Sequence, residues 1–406
     1  MTQRARPVRR RPRLPITTRP LIYGGNRLQL LEGGEQLFPR LIAAIETAQH
    51  SVRLETYIFA EDNVGLRVAD ALAAAAGRGV AVQVVVDAFG TGPWALELRA
   101  RLEAAGAHLV VFRPAQWWRL ERRLLRRLHR KLTLVDERVA FVGGINIIDD
   151  HHYPDADPVP GPRFDFAVQC EGPVVAPIAL AMRKLWRSLE PLRVASVARA
   201  DLQPVEMPPP FTDGVRAAFL LRDNLRNRRT IEDAYLEAIR AARFKVVLAS
   251  AYFFPGRAFR RALVDCARRG VRVSLLVQGR VEYALQHYAQ EALYSRLLDA
   301  GIEIHEYDSS YLHAKVALVD DAWATVGSSN IDPYSLLLAR EANVVVLDAR
   351  FAQALAAALQ RAIERHSRPL RAADFAERSL LRRLVNWVAY RLVRFGAIAL
   401  AGGRDY

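Results

Sequence analysis

The sequence predicts an α/β protein built of two pseudo-symmetric halves, each a mostly parallel sheet flanked by helices, that share one central cleft. Three observations carry this. One order of helix, apolar strand, glycine-terminated helix and β-branched strand occurs twice; a proline-rich stretch separates the copies; and each copy ends in the same short polar motif. At 406 residues, 51% hydrophobic and 25% charged, the chain is long enough for two such units.

The elements follow in order. Residues 1–20, rich in Pro and Arg, read as a disordered basic tail with no apolar stretch, so no secretory leader is expected. The first half spans residues 21–190. There a helical stretch ending Ala44-Ile45-Glu46-Thr47-Ala48 leads into the strand Val52 to Phe59, and an alanine-rich helix closes at Gly79 before Val80 to Val86. The second half spans 213–370. There Ala238 to Ala242 leads into Val246 to Phe254, and Gly270 precedes Val271 to Val277. A glycine feeding a β-branched run marks a helix C-cap before a buried strand. Between the halves, residues 191–212 carry Pro191, Pro204, Pro208, Pro209 and Pro210 and read as a linker. Residues 371–406 form a basic amphipathic segment, with Leu381, Leu384, Val385, Val388, Leu392 and Phe395 at helical spacing.

Charge is concentrated. The formal net charge is +15; residues 1–20 carry +7, Trp117 to Lys131 +6 and Arg378 to Tyr406 +5, so the other parts are mildly acidic. Such appendages imply an anionic partner, nucleic acid or lipid. Tryptophans beside a basic stretch with Leu120, Leu124 and Leu128 every fourth residue suit a lipid headgroup interface, although such stripes also pack on a protein's own core. No uncharged run exceeds 11 residues, too short for a membrane-spanning helix. Two cysteines, Cys170 and Cys266, exclude a disulfide framework or a Cys-based zinc site.

The repeated motif is H-x-K-x4-D: His129, Lys131 and Asp136, then His313, Lys315 and Asp320. Given nine His, one chance match is expected in fewer than roughly 0.01 chains of this composition. Only four of the basic residues are Lys, and two of them sit here, as a site needing compact ammonium charges demands. Seventeen residues after each His comes an Asn, in Gly143-Gly144-Ile145-Asn146 and Gly327-Ser328-Ser329-Asn330. Acidic residues follow at Asp165 and Glu341.

This pattern resembles the phospholipase D superfamily. Within it, Asn26 to Leu31, Ala251 to Gly256 and Ala324 to Pro333 are similar to the B-type bacterial cardiolipin synthases, a likeness covering about residues 22–370. It departs from the A-type synthases, which begin with membrane-spanning helices. The resemblance implies transfer of a phosphatidyl group between phosphatidylglycerol molecules at an anionic phospholipid surface, on the cytoplasmic side of a bacterial membrane. No metal or other cofactor is implied. The six motif residues form the expected catalytic set, with Asp136 and Asp320 holding the loop rather than touching substrate. Lys131, Lys315, Asn146, Asn330 and Ser328 are expected on the phosphate oxygens, where positive charge and donors offset the repulsion of a nucleophile by a phosphodiester anion. One imidazole, His129, is expected to attack phosphorus and the other, His313, to serve as general acid and base. Asp165 and Glu341 are expected to fix the imidazole tautomers, Asp165 linked to His129 and Glu341 to His313.

Other readings give different expectations. A nuclease or phospholipase D-type hydrolase would use the same residues, but nuclease cores of this kind are much shorter and the Leu-striped basic segments favour lipid, so no nucleic-acid partner is expected. A non-enzymatic scaffold would have lost a motif residue, and none is lost. A metal site on His151 and His152 with Asp149, Asp150 and Asp155 is disfavoured, because this stretch reads as a loop and adjacent strand residues point oppositely.

Overall fold

The computed structural model describes residues 20–113, 126–152, 161–189, 204–223, 227–337, 339–376 and 379–401. The basic tail, most of the Trp117 segment and most of the linker lie outside them. The strands are β1 (Tyr23–Glu32), β2 (Ser51–Thr56), β3 (Ala81–Asp87), β4 (His108–Phe112), β5 (Lys131–Val135), β6 (Val139–Gly143), β7 (Phe166–Glu171), β8 (Val215–Arg222), β9 (Lys245–Ser250), β10 (Arg272–Gln278), β11 (Glu303–Tyr307), β12 (Lys315–Val319), β13 (Trp323–Gly327), β14 (Glu341–Leu347) and β15 (Ser367–Pro369). Order β1-β7-β6-β5-β2-β3-β4 in the first half recurs as β8-β14-β13-β12-β9-β10-β11 in the second, and the two join edge to edge at β1 and β8.

The α/β class and the two related halves stand, but the sheet is mixed rather than mostly parallel. Only β2-β3-β4 and β9-β10-β11 run parallel; β5, β6 and β7, like β12, β13 and β14, pair antiparallel. The reason is local. Parallel neighbours need a crossover, which the helices Asn63–Gly77 and Arg257–Arg268 provide, whereas the motif strands β5 and β12 turn back through three-residue connections. Gly79 (φ +89°) and Gly270 (φ +85°) end those two helices in the left-handed region.

The short connections show what the motif aspartates do. Asp136 (φ 49°) and Asp320 (φ 52°) sit in the left-handed region, uncommon for residues with a side chain. The Asp136 carboxylate accepts from the backbone N–H groups of Gln49 (2.9 Å), His50 (2.7 Å) and Ser51 (2.8 Å). Asp320 accepts from Arg243 (3.1 Å), Phe244 (2.8 Å) and Lys245 (3.1 Å). Each clamps the turn to the start of the neighbouring strand, and these bonds over-determine the backbone. Burial pushes the Asp136 carboxyl up, but the three donors outweigh it and hold the group below its ordinary range.

The three largest of the four hydrophobic clusters among the described residues organise the chain. One lies between the first half's sheet and its helices Gly33–Glu46, Asn63–Gly77 and Trp94–Ala104, and a counterpart fills the second half. The third is common to both halves: Leu132, Val142 and Phe166 pack in one cluster with Val316, Val326 and Val344. Burial of these apolar strand faces, at about 25 cal/mol per Å², makes the two halves one folding unit. It also brings the N-terminal ends of β5 and β12 toward each other.

Candidate active site

His129 and His313 lie two residues before the first buried residues of β5 and β12, so each shares a strand face with its motif lysine. Lys131 donates from Nζ to the carbonyl oxygen of His129 (2.6 Å), and Lys315 does the same to His313. Both lysines are buried.

The imidazole partners cross between the halves. His129 Nδ1 lies 3.0 Å from Glu341 Oε1, and His313 Nδ1 lies 2.6 Å from Asp165 Oδ2. The expected pairing of His129 with Asp165 and His313 with Glu341 is therefore corrected. Two backbone bridges enforce the exchange. Leu128 pairs in parallel with Arg340, whose carbonyl accepts from His129 N–H (3.0 Å), and Leu312 pairs with Phe164, whose carbonyl accepts from His313 N–H (2.9 Å). The residue before each carboxylate thus grips the residue before the other half's histidine.

The two carboxylates are equally buried but differently supported. Ser328 Oγ donates to Glu341 Oε2 (2.5 Å) and accepts from Ala342 N–H (3.0 Å). The matching position is Gly144, where a Cβ would stand 2.4 Å from Asp165 Oδ1, so no side chain fits and Asp165 has no such donor. Ser328 accordingly serves Glu341 rather than standing ready for a phosphate oxygen, which corrects its expected role.

Asn146 and Asn330 follow β6 and β13, next to Ile147 and Ile331, which bridge to Phe59 and Phe253. The Asn146 Oδ1 accepts from Ile58 N–H (3.1 Å), orienting its amide. The Asn330 Oδ1 is buried without a protein partner among the described residues. Asp136 and Asp320 lie at the far ends of β5 and β12, five residues or about 16 Å from the lysines at strand rise, away from the chemistry.

Several neighbours escaped the sequence reading. The Tyr57 ring is 5.0 Å from the His129 ring, and the Lys131 ammonium is 5.4 Å from the Tyr57 centroid. In the second half Tyr252, which follows β9, donates from its hydroxyl to Glu282 (2.6 Å). Asp87 accepts from Leu128 N–H (2.9 Å), and Arg163 acts electrostatically on His313. Tyr57 and Tyr252 are one position out of step in the repeat, where Tyr57 matches Ala251 and Ile58 matches Tyr252, so the repeat did not single them out. Asp87 and Arg163 stand in no repeated motif. Arg130, expected in the lipid-facing basic segment, is instead 1% exposed and held by Glu55, with Nη2 2.9 Å from Oε1, and Leu128 is fully buried.

Burial and like charge dominate the titration. Burial pushes the His129 imidazole below its ordinary range, opposed by Glu341; burial, then Lys315 and Lys131, push His313 well below it. Lys131 is lowered to about 7 and Lys315 to about 8, both chiefly by burial, while burial raises Asp165 to about 7 against the pull of Lys315. Each lysine acts on both histidines, so six groups from two halves form one site. With each Nδ1 tied to a carboxylate, each Nε2 is the atom left for chemistry.

The His151 region is built otherwise. Asp150 accepts from Gly34 N–H (2.5 Å), Asp149 accepts from His151 N–H (2.8 Å), and Asp155 lies outside the described residues. Among the described residues no group of three or more His, Cys, Asp and Glu is placed to hold a metal ion.

Two carboxylate-backed imidazoles and two ammonium groups, one set from each copy of a repeat, define a phosphodiester-transfer site of the phospholipase D type. The sequence matches the family described as cardiolipin synthase, PLD-like domain, over residues 41–155 and 235–363. It is 39% identical over 342 residues to cardiolipin synthase B of Shigella flexneri, covering 82% of this chain and 79% of that protein, with the same figures for Escherichia coli (strain K12). Cardiolipin synthase A of Klebsiella pneumoniae (strain 342) is 30% identical over 374 residues, covering 90% of this chain and 75% of that one. In fold, the chain is similar to phosphatidylserine synthase of Haemophilus influenzae Rd KW20, with a TM-score of 0.67 at 15% identity over 92% of this chain and 94% of that one. The chain belongs to the cardiolipin synthase, PLD-like domain family, and with it to the phosphatidyltransferases of the phospholipase D superfamily.

Proposed function

We propose that the protein joins two phosphatidylglycerol molecules into cardiolipin, releasing glycerol, through a phosphohistidine. Nε2 of His129 attacks phosphorus while His313, carrying a proton on Nε2, gives that proton to the departing glycerol oxygen. His313 then takes the proton from a hydroxyl of the second phosphatidylglycerol, whose oxygen attacks phosphorus and frees His129. Lys131, Lys315, Asn146 and Asn330 stabilise the non-bridging oxygens.

The observation that carries this reading is the crossed pairing, which ties each Nδ1 to the other half's carboxylate and leaves one Nε2 from each half for chemistry. The inequality of the carboxylates supports the order of roles. A phosphoimidazole protonated at Nδ1 is cationic, and Glu341, which accepts a hydrogen bond from Ser328, is placed to balance it. Similarity to the cardiolipin synthases supports the donor and acceptor. The reaction takes place at the membrane surface, from the cytoplasmic side, where the unpaired Cys170 and Cys266 stay reduced. Among the described residues no helix is long and apolar enough to cross a membrane.

The test is mass-spectrometric product analysis after incubating purified protein with phosphatidylglycerol vesicles. Cardiolipin and glycerol in equal amounts are expected. Phosphatidic acid in place of cardiolipin would make water the acceptor and the protein a hydrolase.

A further inference from the structure

The helix Leu380–Ala401 packs in an inverted sense. Its inward face carries small or polar residues, Asn386, Ala389 and Ala397 with Val393, set against the second half's core and the helix Ala284–Leu298. Its large apolar residues point away from the protein: Leu381 is 71% exposed, Leu384 55%, Leu392 55% and Phe395 72%. A helix that only completes a core does the reverse.

We infer that this outward ridge is the surface by which the protein seats in an anionic phospholipid bilayer, lying in the headgroup region with the active-site opening beside it. The inference rests on the reading of the chain as an enzyme of membrane phospholipid. Charge chooses the occupant. Arg383, Arg391 and Arg394 run along one flank of the ridge, and Arg391 stacks on Trp387, 5.0 Å from the ring centroid. Arginines and a tryptophan flanking an apolar stripe match phosphates above acyl chains, whereas an apolar protein groove offers nothing to match the positive flank.

Position chooses the orientation. Arg382, on the inward side, stacks on Tyr288 (4.3 Å) and pairs with Glu291 (3.1 Å), fixing the helix to Ala284–Leu298. Just before that helix the exposed ridge continues in Val281 and Tyr283, with Leu285 in its first turn. Tyr283 contacts Tyr252, whose hydroxyl bonds Glu282, a carboxylate that acts on Lys315. Exposed apolar residues therefore stand both along the last helix and on the segment that carries Glu282, as delivery of a diacyl substrate from the bilayer requires.

The experiment compares the full chain with Leu384→Ser/Leu392→Ser and with Arg383→Gln/Arg394→Gln. Each is sedimented with vesicles of phosphatidylcholine alone or mixed with phosphatidylglycerol, and each is assayed on a soluble short-chain phosphatidylglycerol. The leucine variant should bind mixed vesicles more weakly by on the order of tenfold for each apolar side chain removed. The arginine variant should lose the preference for the anionic mixture, and both should keep the short-chain turnover of the parent. Binding of the leucine variant equal to the parent's would overturn the proposal. So would a lipid-free parent that is dimeric where this variant is monomeric, which makes the ridge a contact between copies. Sedimentation is scored without turnover, so an absence of cardiolipin formation is a separate result.

Discussion

His129 and Glu341, 212 residues apart and in opposite halves, meet with Nδ1 3.0 Å from Oε1. Neither half contains a complete imidazole–carboxylate pair, so the catalytic unit exists only in the assembled two-half fold. The same holds for His313 and Asp165.

The crossed pairs make the two carboxylates separable. With a p-nitrophenyl phosphatidyl ester, whose leaving group needs no proton, Glu341→Gln should slow the nitrophenolate burst by about 10²- to 10⁴-fold, because it acts through the nucleophile. Asp165→Asn should preserve the burst and slow steady-state transfer instead. Rapid-quench kinetics check this, and the opposite pattern would make His313 the nucleophile.

Ser328→Ala removes a charge-assisted hydrogen bond to Glu341 without touching substrate. A loss of roughly tenfold or more in kcat with little change in KM is expected. Gly144→Ala, by contrast, drives a methyl into Asp165 and should cost both activity and stability.

The lysines set the alkaline limb. In the free enzyme Lys131 is lowered to about 7 and Lys315 to about 8, so kcat/KM should fall as pH rises from 7 through 8 and the ammonium charges are lost. A bound phosphodiester favours the protonated lysines, which moves the fall in kcat to higher pH. Parallel profiles for kcat and kcat/KM would contradict this.

The same shifts bear on stability. Between about pH 7 and the ordinary lysine range near 10.4, the unfolded chain holds protons that folded Lys131 and Lys315 release, so these groups favour folding more as pH rises and oppose it at lower pH. Lys131→Met should therefore abolish turnover yet raise Tm near neutral pH. A calorimetric Tm at or below the parent's would show that the buried ammonium is a net stabiliser.

Asp136→Ala should behave oppositely. Losing an acceptor that serves three backbone donors costs on the order of 2 kcal/mol of stability, while kcat of the protein that remains folded should change little. Urea titration beside active-site titration separates the two effects. Asp136 is held below its ordinary carboxylate range, so its contribution is present above about pH 4 and is lost as pH falls through the folded value.

What was legible in the sequence is what the chain repeats locally. The two halves, the strand–helix–strand units, His129 with Lys131 and His313 with Lys315, and the following asparagines all lie within short windows, where periodicity and spacing report the backbone directly. Even the structural duty of Asp136 and Asp320 follows from their place after a strand. The tertiary structure alone decided which carboxylate serves which histidine, because that depends on the bridges of Leu128 to Arg340 and Leu312 to Phe164, which form only when the shared core brings the halves together. It likewise buried Arg130 against Glu55, assigned Ser328 to Glu341 and turned the leucines of the last helix outward. An amphipathic pattern states that a helix has two faces. Only the surface it packs against states which one meets the protein.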